Sequence, residues 1–409
     1  MTKKILFALT LFSILFLGSI SILPGLTIRN ISVVGLLLYA LLNAKEVSFN
    51  TDEKSYLVFI TVLLLCNILN GQIASFGFVQ NFVVYHLACV VIIMTIPLFV
   101  KNLRDLSFVT KLLIAFYIIN VIVSYWQFFN NPLGWDLAYL ITPGFEDNIE
   151  ERMHYLEDLD DLSSYAITPG INGFVVTNGY FVATFLPVVS CMALNRGSRS
   201  FWGLVVLAVG VFGLYMIQQR SAFFLGVLYV FIALCYRMKS DWLTTSILLL
   251  AAVVVVTYFG TEFMQMDLGR LVLDDVATDD RFNLLHFFYE FMNEPTFILG
   301  GEDDPYWLST LGHNTIFSSL LQGGIMSMLA YIVAFIIIVK RCLQLIFISY
   351  KNGFINTFVY SVACIIFIAI SLTHSLGIQS GAIMFWLCYV LMIQAHSFEV
   401  GNRRKHNVF

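Results

Sequence analysis

The chain has 409 residues, of which 59% are apolar and only 12% charged, and its formal net charge is −4 at pH 7. Water-soluble domains run near ~45–50% apolar with glycine counted and ~25% charged, so there is too little polar side chain here to cover the outside of soluble domains of this size. The charge balance gives no nucleic-acid signal, and the sequence holds no phosphate-binding loop, dinucleotide fingerprint or zinc motif.

A membrane-spanning helix needs roughly 20 mostly apolar residues. Such runs are predicted near 5–24, 27–44, 55–71, 81–100, 107–127, 173–193, 201–217, 220–236, 242–260, 314–339, 353–373 and 377–396. They are unbroken rather than alternating, which favours helices over barrel strands. The first run follows Lys3 and Lys4 but lacks a clear small-residue cleavage site, so it reads as a retained span and not a signal peptide. The seven cysteines lie in or beside apolar runs and suggest neither disulfides nor a metal site.

With the N-terminus inside and alternating spans, 17 of the 22 basic residues, including every Lys, fall on the cytoplasmic side. That is the positive-inside pattern. The expected fold class is therefore an all-α polytopic integral membrane protein, with about twelve transmembrane helices, two long extracytoplasmic loops and both termini cytoplasmic. Residues 1–127 would hold the first five spans and 128–172 the first outer loop. Residues 173–260 would carry spans six to nine, 261–313 the second outer loop, and 314–409 the last three spans and a basic tail. The two loops contain 20 of the 26 acidic residues. Within the second, Asp279 or Asp280 could cap an amphiphilic helix running to about Asn293, with Pro295 beyond it.

Candidate chemistry gathers at the outer ends. The basic residues left outside are all Arg: Arg29, Arg152, Arg220, Arg270 and Arg281. Arginine presents a rigid donor fork suited to phosphate oxygens. Arg220, in "MIQQRSAFFLG", sits at the edge of a span, where an ionisable group is either functional or snorkelling. Arg281 opens the loop helix, against its dipole, and is either salt-bridged to Asp279 and Asp280 or present for a ligand. His313, followed by Asn314 at a polar–apolar boundary, is a structural residue or a general base. His286 and Glu290 are one helical turn apart and could pair as acid and base or share a plain hydrogen bond. His86 and His374 lie near other outer ends. Asn178 interrupts an apolar stretch and faces either substrate or a neighbouring helix.

Taken together, these segments resemble the O-antigen ligase and O-antigen polymerase superfamily of bacterial envelope glycan enzymes. "TNGYFVA" is similar to the family's Asn-containing span, and "QRSAF" to its arginine motif, with Arg220 in the arginine position. Arg281, Pro295 and Gly300 are similar to its second outer loop, and His313-Asn314 with Gly323 and Gly324 to its histidine and glycine end. "GGEDD" after Pro295 departs from the pattern. The resemblance implies a metal-independent glycosyltransferase without cofactor in the bacterial cytoplasmic (inner) membrane. Its donor would be a polyprenyl-diphosphate-linked oligosaccharide. Arg220 and Arg281 would stabilise the diphosphate and His313 would act as base. Asn178, Asn314, His286 and Glu290 would contact substrate. It further implies polymerisation of lipid-linked repeat units, with ligation to lipid A–core or a protein hydroxyl as the alternative; a transporter is the rival class outside the resemblance. The partners expected are the bilayer and a chain-length regulator or flippase, and no nucleic acid.

Overall fold

The structure is a computed structural model and describes residues 2–17, 20–23, 26–75, 78–79, 82–129, 131–141, 168, 170–172, 175–194, 200–217, 219–238, 284–312, 314–372 and 382–406. Among these residues there are fourteen α-helices and one two-stranded antiparallel hairpin. The helices are α1 Thr2–Phe16, α2 Ile28–Leu42, α3 Thr51–Leu69, α4 Ala88–Phe99, α5 Leu103–Phe128, α6 Pro132–Ile141 and α7 Val175–Val189. They continue with α8 Ser200–Ile217, α9 Arg220–Met238, α10 Leu284–Phe291, α11 Pro305–Thr310, α12 Thr315–Asn352, α13 Ile355–Ser371 and α14 Ala382–His406.

Apolar runs and helices coincide only in part: 107–127, 201–217, 220–236 and 353–373 match helices closely, while others do not. The run 5–24 stops being helix at Phe16, and Ser21–Leu23 (β1) instead pairs with Leu26–Thr27 (β2). The run 81–100 divides into a π-turn, Phe82–Leu87, and the twelve-residue α4. The run 173–193 closes as a 3₁₀ turn, Cys191–Leu194. The polar residues Asp52, Glu53 and Lys54 occupy the first turn of α3. At 1.5 Å per residue a 15-residue helix is about 22 Å long, short of the ~30 Å hydrocarbon layer.

The expectation of about twelve transmembrane helices is corrected accordingly. Among the described residues three helices are long and apolar enough to cross a membrane, Leu103–Phe128, Thr315–Asn352 and Ala382–Arg403, and seven shorter apolar helices have 10–17 residues. The expected span 242–260 lies outside the described residues. The inner-membrane, multi-pass placement with both termini cytoplasmic is corrected with it. Among the described residues the membrane-length helices number three, an odd number, against the even number of crossings that this placement needs.

The chain divides into two compact units. The first comprises Met1–Ile28, Ser107–Leu273 and Asn352–Ala363. Its core is aromatic: Phe16 packs T-shaped against Phe116 and Phe181, and Phe181 packs tilted against Phe185. Helices approach closely where glycine removes a side chain. A Cβ on Gly210 of α8 would collide with Leu186 of α7 and Tyr117 of α5. Tyr229 of α9 reaches the Ser190 hydroxyl at 3.1 Å.

The second unit comprises Arg29–Leu106, Asp274–Lys351 and Cys364–Phe409. Its helix α3 is tightly capped. Asn50 and Glu53 form a reciprocal capping box on α3, with both bonds at 2.8 Å. Asp52 accepts from the Tyr389 hydroxyl of α14 at 2.7 Å and lies 3.8 Å from Arg341 of α12. In the same unit α12 is broken at Gly323–Gly324, where the backbone leaves helical geometry. The loop after Pro295 packs its own backbone into that break. Gly301 and Glu302 both donate their N–H to Leu321 O, at 2.9 and 3.0 Å. The end of α3 clamps the same place: Asn67 donates to Gln322 O at 3.1 Å, and Asn70 to Leu299 O at 2.9 Å.

Candidate functional site

The polar groups named from the sequence sit in separate settings. In the first unit, Asn178 of α7 is wholly buried. Its Oδ1 accepts from Asn120 Nδ2 at 2.6 Å, and its Nδ2 donates to Ser124 Oγ at 3.0 Å and to Thr168 O at 2.8 Å. Asn120 Oδ1 in turn accepts from the Ile171 N–H at 2.9 Å. Gln127 holds Gly170 from both sides, accepting its N–H at 2.8 Å and donating to its carbonyl at 3.3 Å. The result is a polar knot that ties the segment around Thr168–Ile171 to α5 and α7. Both amide protons of Asn178 are engaged inside the fold, so its geometry is that of a strut between helices.

Composition did not single out Asn120, Ser124 and Gln127. Their spacing could have done so, because i, i+4 and i+7 share one face of a helix, and three polar residues on one face of an otherwise apolar helix imply a common set of partners. Arg220 is the first residue of α9 and follows the buried Gln219, whose carbonyl receives the Phe223 N–H at 2.9 Å. The Arg220 side chain lies outside the described residues, as do Arg281 and His313.

In the second unit, α10 carries His286 and Glu290 on one face, with Nε2 and Oε1 3.2 Å apart and both side chains well exposed. The opposite face is packed. Phe291 is buried against Trp307 of α11, with ring centroids 5.1 Å apart, and Phe288 lies 5.7 Å from Phe317 of α12. Of the helix expected from Asp279 or Asp280 to about Asn293, Leu284–Phe291 is helical, and the residues before Leu284 lie outside the described ones. An apolar layer of Phe291, Trp307, Leu311 and Leu320 thus presents the His286–Glu290 pair outward.

Asn314 works at the start of α12. Its Oδ1 accepts the Ile316 N–H at 2.9 Å, and its Nδ2 donates to Leu372 O at 2.7 Å. An asparagine at this position caps the helix and binds it to the end of α13. The structure therefore brings His286 and Glu290 together, while Asn178 and Asn314 bond to residues outside the candidate set. His86 is buried in the π-turn, and among the described residues its Nδ1 has no hydrogen-bond partner. His374 lies outside the described residues. Among the described residues no group of three or more His, Cys, Asp or Glu side chains is placed to hold a metal ion.

Neither a family model nor a curated protein matches the chain. The resemblance to the O-antigen ligase and polymerase superfamily is corrected on the fold. That topology requires about twelve spans, and three membrane-length helices are what the described residues provide. The polymerase reading falls with it, together with its ligase and transporter alternatives. What the helices build instead is a packed interior of buried, hydrogen-bonded polar side chains such as Asn120, Asn178 and Ser124, with bonds that join residues far apart in sequence.

Proposed function

We propose that the chain is a glycosyltransferase that works at a lipid bilayer and draws on a glycan carried by polyprenyl diphosphate. The observation that carries this reading is the apolar face of α12 turned away from the protein: Met326, Leu329, Val333 and Ile336 are each at least half exposed. Exposed apolar area on that scale marks contact with lipid or a partner, and a lipid-linked donor is the substrate such a surface would meet.

The chemistry asks for few groups. Lipid diphosphate is an adequate leaving group, so the protein must balance its growing negative charge and remove a proton from the acceptor. Arg220, the first residue of the apolar helix α9, would offer its fork to the diphosphate. Arg281 would assist. His313 would take the acceptor O–H proton as that oxygen bonds to the anomeric carbon and the bond from carbon to diphosphate oxygen breaks. The proton ends on imidazole and the electron pair on the departing lipid diphosphate. His286 and Glu290, exposed on α10, offer hydrogen bonds to a sugar.

The test is release of polyprenyl diphosphate from a short synthetic lipid-linked glycan by the purified chain in nanodiscs. Wild type should release it with turnover, and Arg220→Lys should lose about 10²-fold in rate, as expected when one well-placed donor is lost. Absence of release with wild type, or unchanged rates in Arg220→Lys, Arg281→Lys and His313→Gln alike, would remove this function.

A further inference from the structure

Helix α10 has three sides, and two of them are accounted for. Phe288 and Phe291 pack inward against Phe317 of α12 and Trp307 of α11, and Phe287 lies 6.2 Å from Tyr306 of α11. His286 and Glu290 form the polar side. The third side is apolar and open: Leu285, Tyr289 and Met292 are 71%, 67% and 47% exposed. At i, i+4 and i+7 these three share one face of a helix. The Met292 N–H, bonded to Phe288 O at 3.1 Å, carries the helical turn through the last of them. At 3.6 residues per turn the stripe lies opposite Phe287, so α11 contacts α10 on the side away from it.

Three observations identify what covers the stripe. The first is continuity. The apolar layer beneath α10 extends along α12 to Ile325 and Ile332. Beside these on α12 are Met326, Leu329 and Val333, the outward face already read as lipid-facing. The layer thus holds α10 at the head of that face, where hydrocarbon gives way to headgroups. The second is Tyr289 in the middle of the stripe, because an apolar ring with a polar tip suits that boundary. The third is charge. From Leu284 to Gly312 there are five carboxylates, Glu290, Glu294, Glu302, Asp303 and Asp304, and no Lys or Arg. A second copy docked through the same surface would set these against its own, and like charges facing each other are penalised. Anionic headgroups would meet the same repulsion. A zwitterionic leaflet meets neither.

We propose that α10 lies in the plane of the bilayer surface and dips Leu285, Tyr289 and Met292 into a zwitterionic lipid leaflet, with His286 and Glu290 turned to water at headgroup level. The stripe thereby fixes the height of that pair above the hydrocarbon. This rests on the reading of α12 as lipid-facing and goes beyond it, since it assigns the orientation of a helix that does not cross.

The experiment attaches an environment-sensitive fluorophore to single cysteines in the full chain with Cys191 replaced: Leu285→Cys, Tyr289→Cys and Met292→Cys on the stripe, and Val333→Cys on α12. The protein is placed in phosphatidylcholine nanodiscs that carry a nitroxide quencher either near the headgroup or deep in the acyl chain. The stripe probes should be quenched more by the shallow nitroxide, at a depth of about 5–10 Å, as for other in-plane helices. The Val333 probe should be quenched more by the deep one. Replacing Leu285 and Met292 together by Gln should shift the emission of the Tyr289→Cys probe toward its value in water. Both side chains are exposed, so Tm in detergent should not change. At low salt, phosphatidylglycerol in place of phosphatidylcholine should reduce the shallow quenching. Stripe probes quenched by neither nitroxide, with Val333 quenched, would overturn the anchor and leave the α12 reading standing. Absence of quenching at Val333 as well would remove both. Stripe probes shielded from aqueous iodide but untouched by nitroxide would mean that a second copy covers them, which overturns the proposal. Equal or stronger shallow quenching in phosphatidylglycerol at low salt would overturn it too.

Discussion

Asn178 shows what a polar side chain costs and contributes inside apolar helix packing. Its three hydrogen bonds reach Asn120, Ser124 and Thr168, and none of the four residues is exposed to solvent. Asn178→Ala would leave the Asn120 amide and the Thr168 carbonyl without partners in a dry interior. Each buried group left unpaired costs about 1–3 kcal/mol, so the variant should unfold at a clearly lower temperature in detergent than Asn314→Ala, whose bonds lie at an exposed helix start. Equal Tm values for the two would show that the knot is not a structural tie. Glu53 makes a second residue-scale prediction. Burial, the larger influence, and the nearby Asp52 push its carboxyl up to about 7, against the opposing pull of the Asn50 N–H. A folded-state value above the unfolded one means that the native state holds the proton more tightly. The stabilisation from this proton is complete below the unfolded value near 4.5 and is lost as pH rises through about 7. Glu53→Gln keeps an acceptor for the Asn50 N–H and removes the titration. The difference in Tm between wild type and variant should therefore move in favour of the variant between pH 5 and pH 8. A difference that stays constant over that range would contradict the burial argument.

The break in α12 belongs to the scale of the element. Gly324 has φ 69°, and a Cβ there would strike the Ile298 carbonyl. Gly353, just past the end of α12, has φ 72° but open space around it. Comparing Ala at the two positions separates conformation from crowding. Gly353→Ala should cost only the left-handed penalty of about 1–2 kcal/mol, while Gly324→Ala should cost distinctly more because the loop of Ile298–Gly301 must also move. Equal losses in thermal stability would mean that the break is not clamped. Elements were only partly legible in the sequence. Helices rather than strands followed from unbroken apolar runs, and the amphiphilic α10 followed from its residue pattern. Helix length did not follow, because hydropathy counts side chains and is blind to where the backbone turns. The run 5–24 contains Pro24 and ends in a hairpin, and the run 81–100 passes through a π-turn before α4. The site was legible where one element supplies both partners, as His286 and Glu290 do. It was not legible where partners come from distant segments, because nothing local to Asn178 shows that Asn120 and Thr168 will use its amide.

At the scale of the whole molecule, the unresolved balance is between apolar side chains that pack and apolar side chains that face out. Trp386, Tyr389 and Leu387 of α14 are buried, as are Val91, Ile92 and Ile93 of α4. Along α12 the pattern reverses after the break. Ala334 and Ile338 are buried, while Val333 and Ile336 are 57% and 60% exposed. That alternation at helical spacing is an inward face and an outward face of one helix. From Ile325 to Asn352 the helix has 28 residues, or about 42 Å at 1.5 Å per residue, enough to pass through a ~30 Å hydrocarbon layer with some tilt. Water does not favour so much exposed apolar surface on one helix, whereas lipid does. If the bilayer is the solvent of that face, single cysteines at Met326, Val333 and Ile336 should be protected from a membrane-impermeant maleimide in sealed vesicles. They should stay protected when the vesicles are made leaky to water-soluble reagents, and should react with a lipid-soluble maleimide. A cysteine at Tyr306 of α11, exposed in a polar stretch, serves as the labelled control. The native cysteines bear on the design little, because Cys66, Cys89, Cys235, Cys342, Cys364 and Cys388 are buried and only Cys191 needs replacement. Full labelling of the three α12 positions by the impermeant reagent in leaky vesicles would place that face in water. The transferase reading would then lose the observation on which it rests.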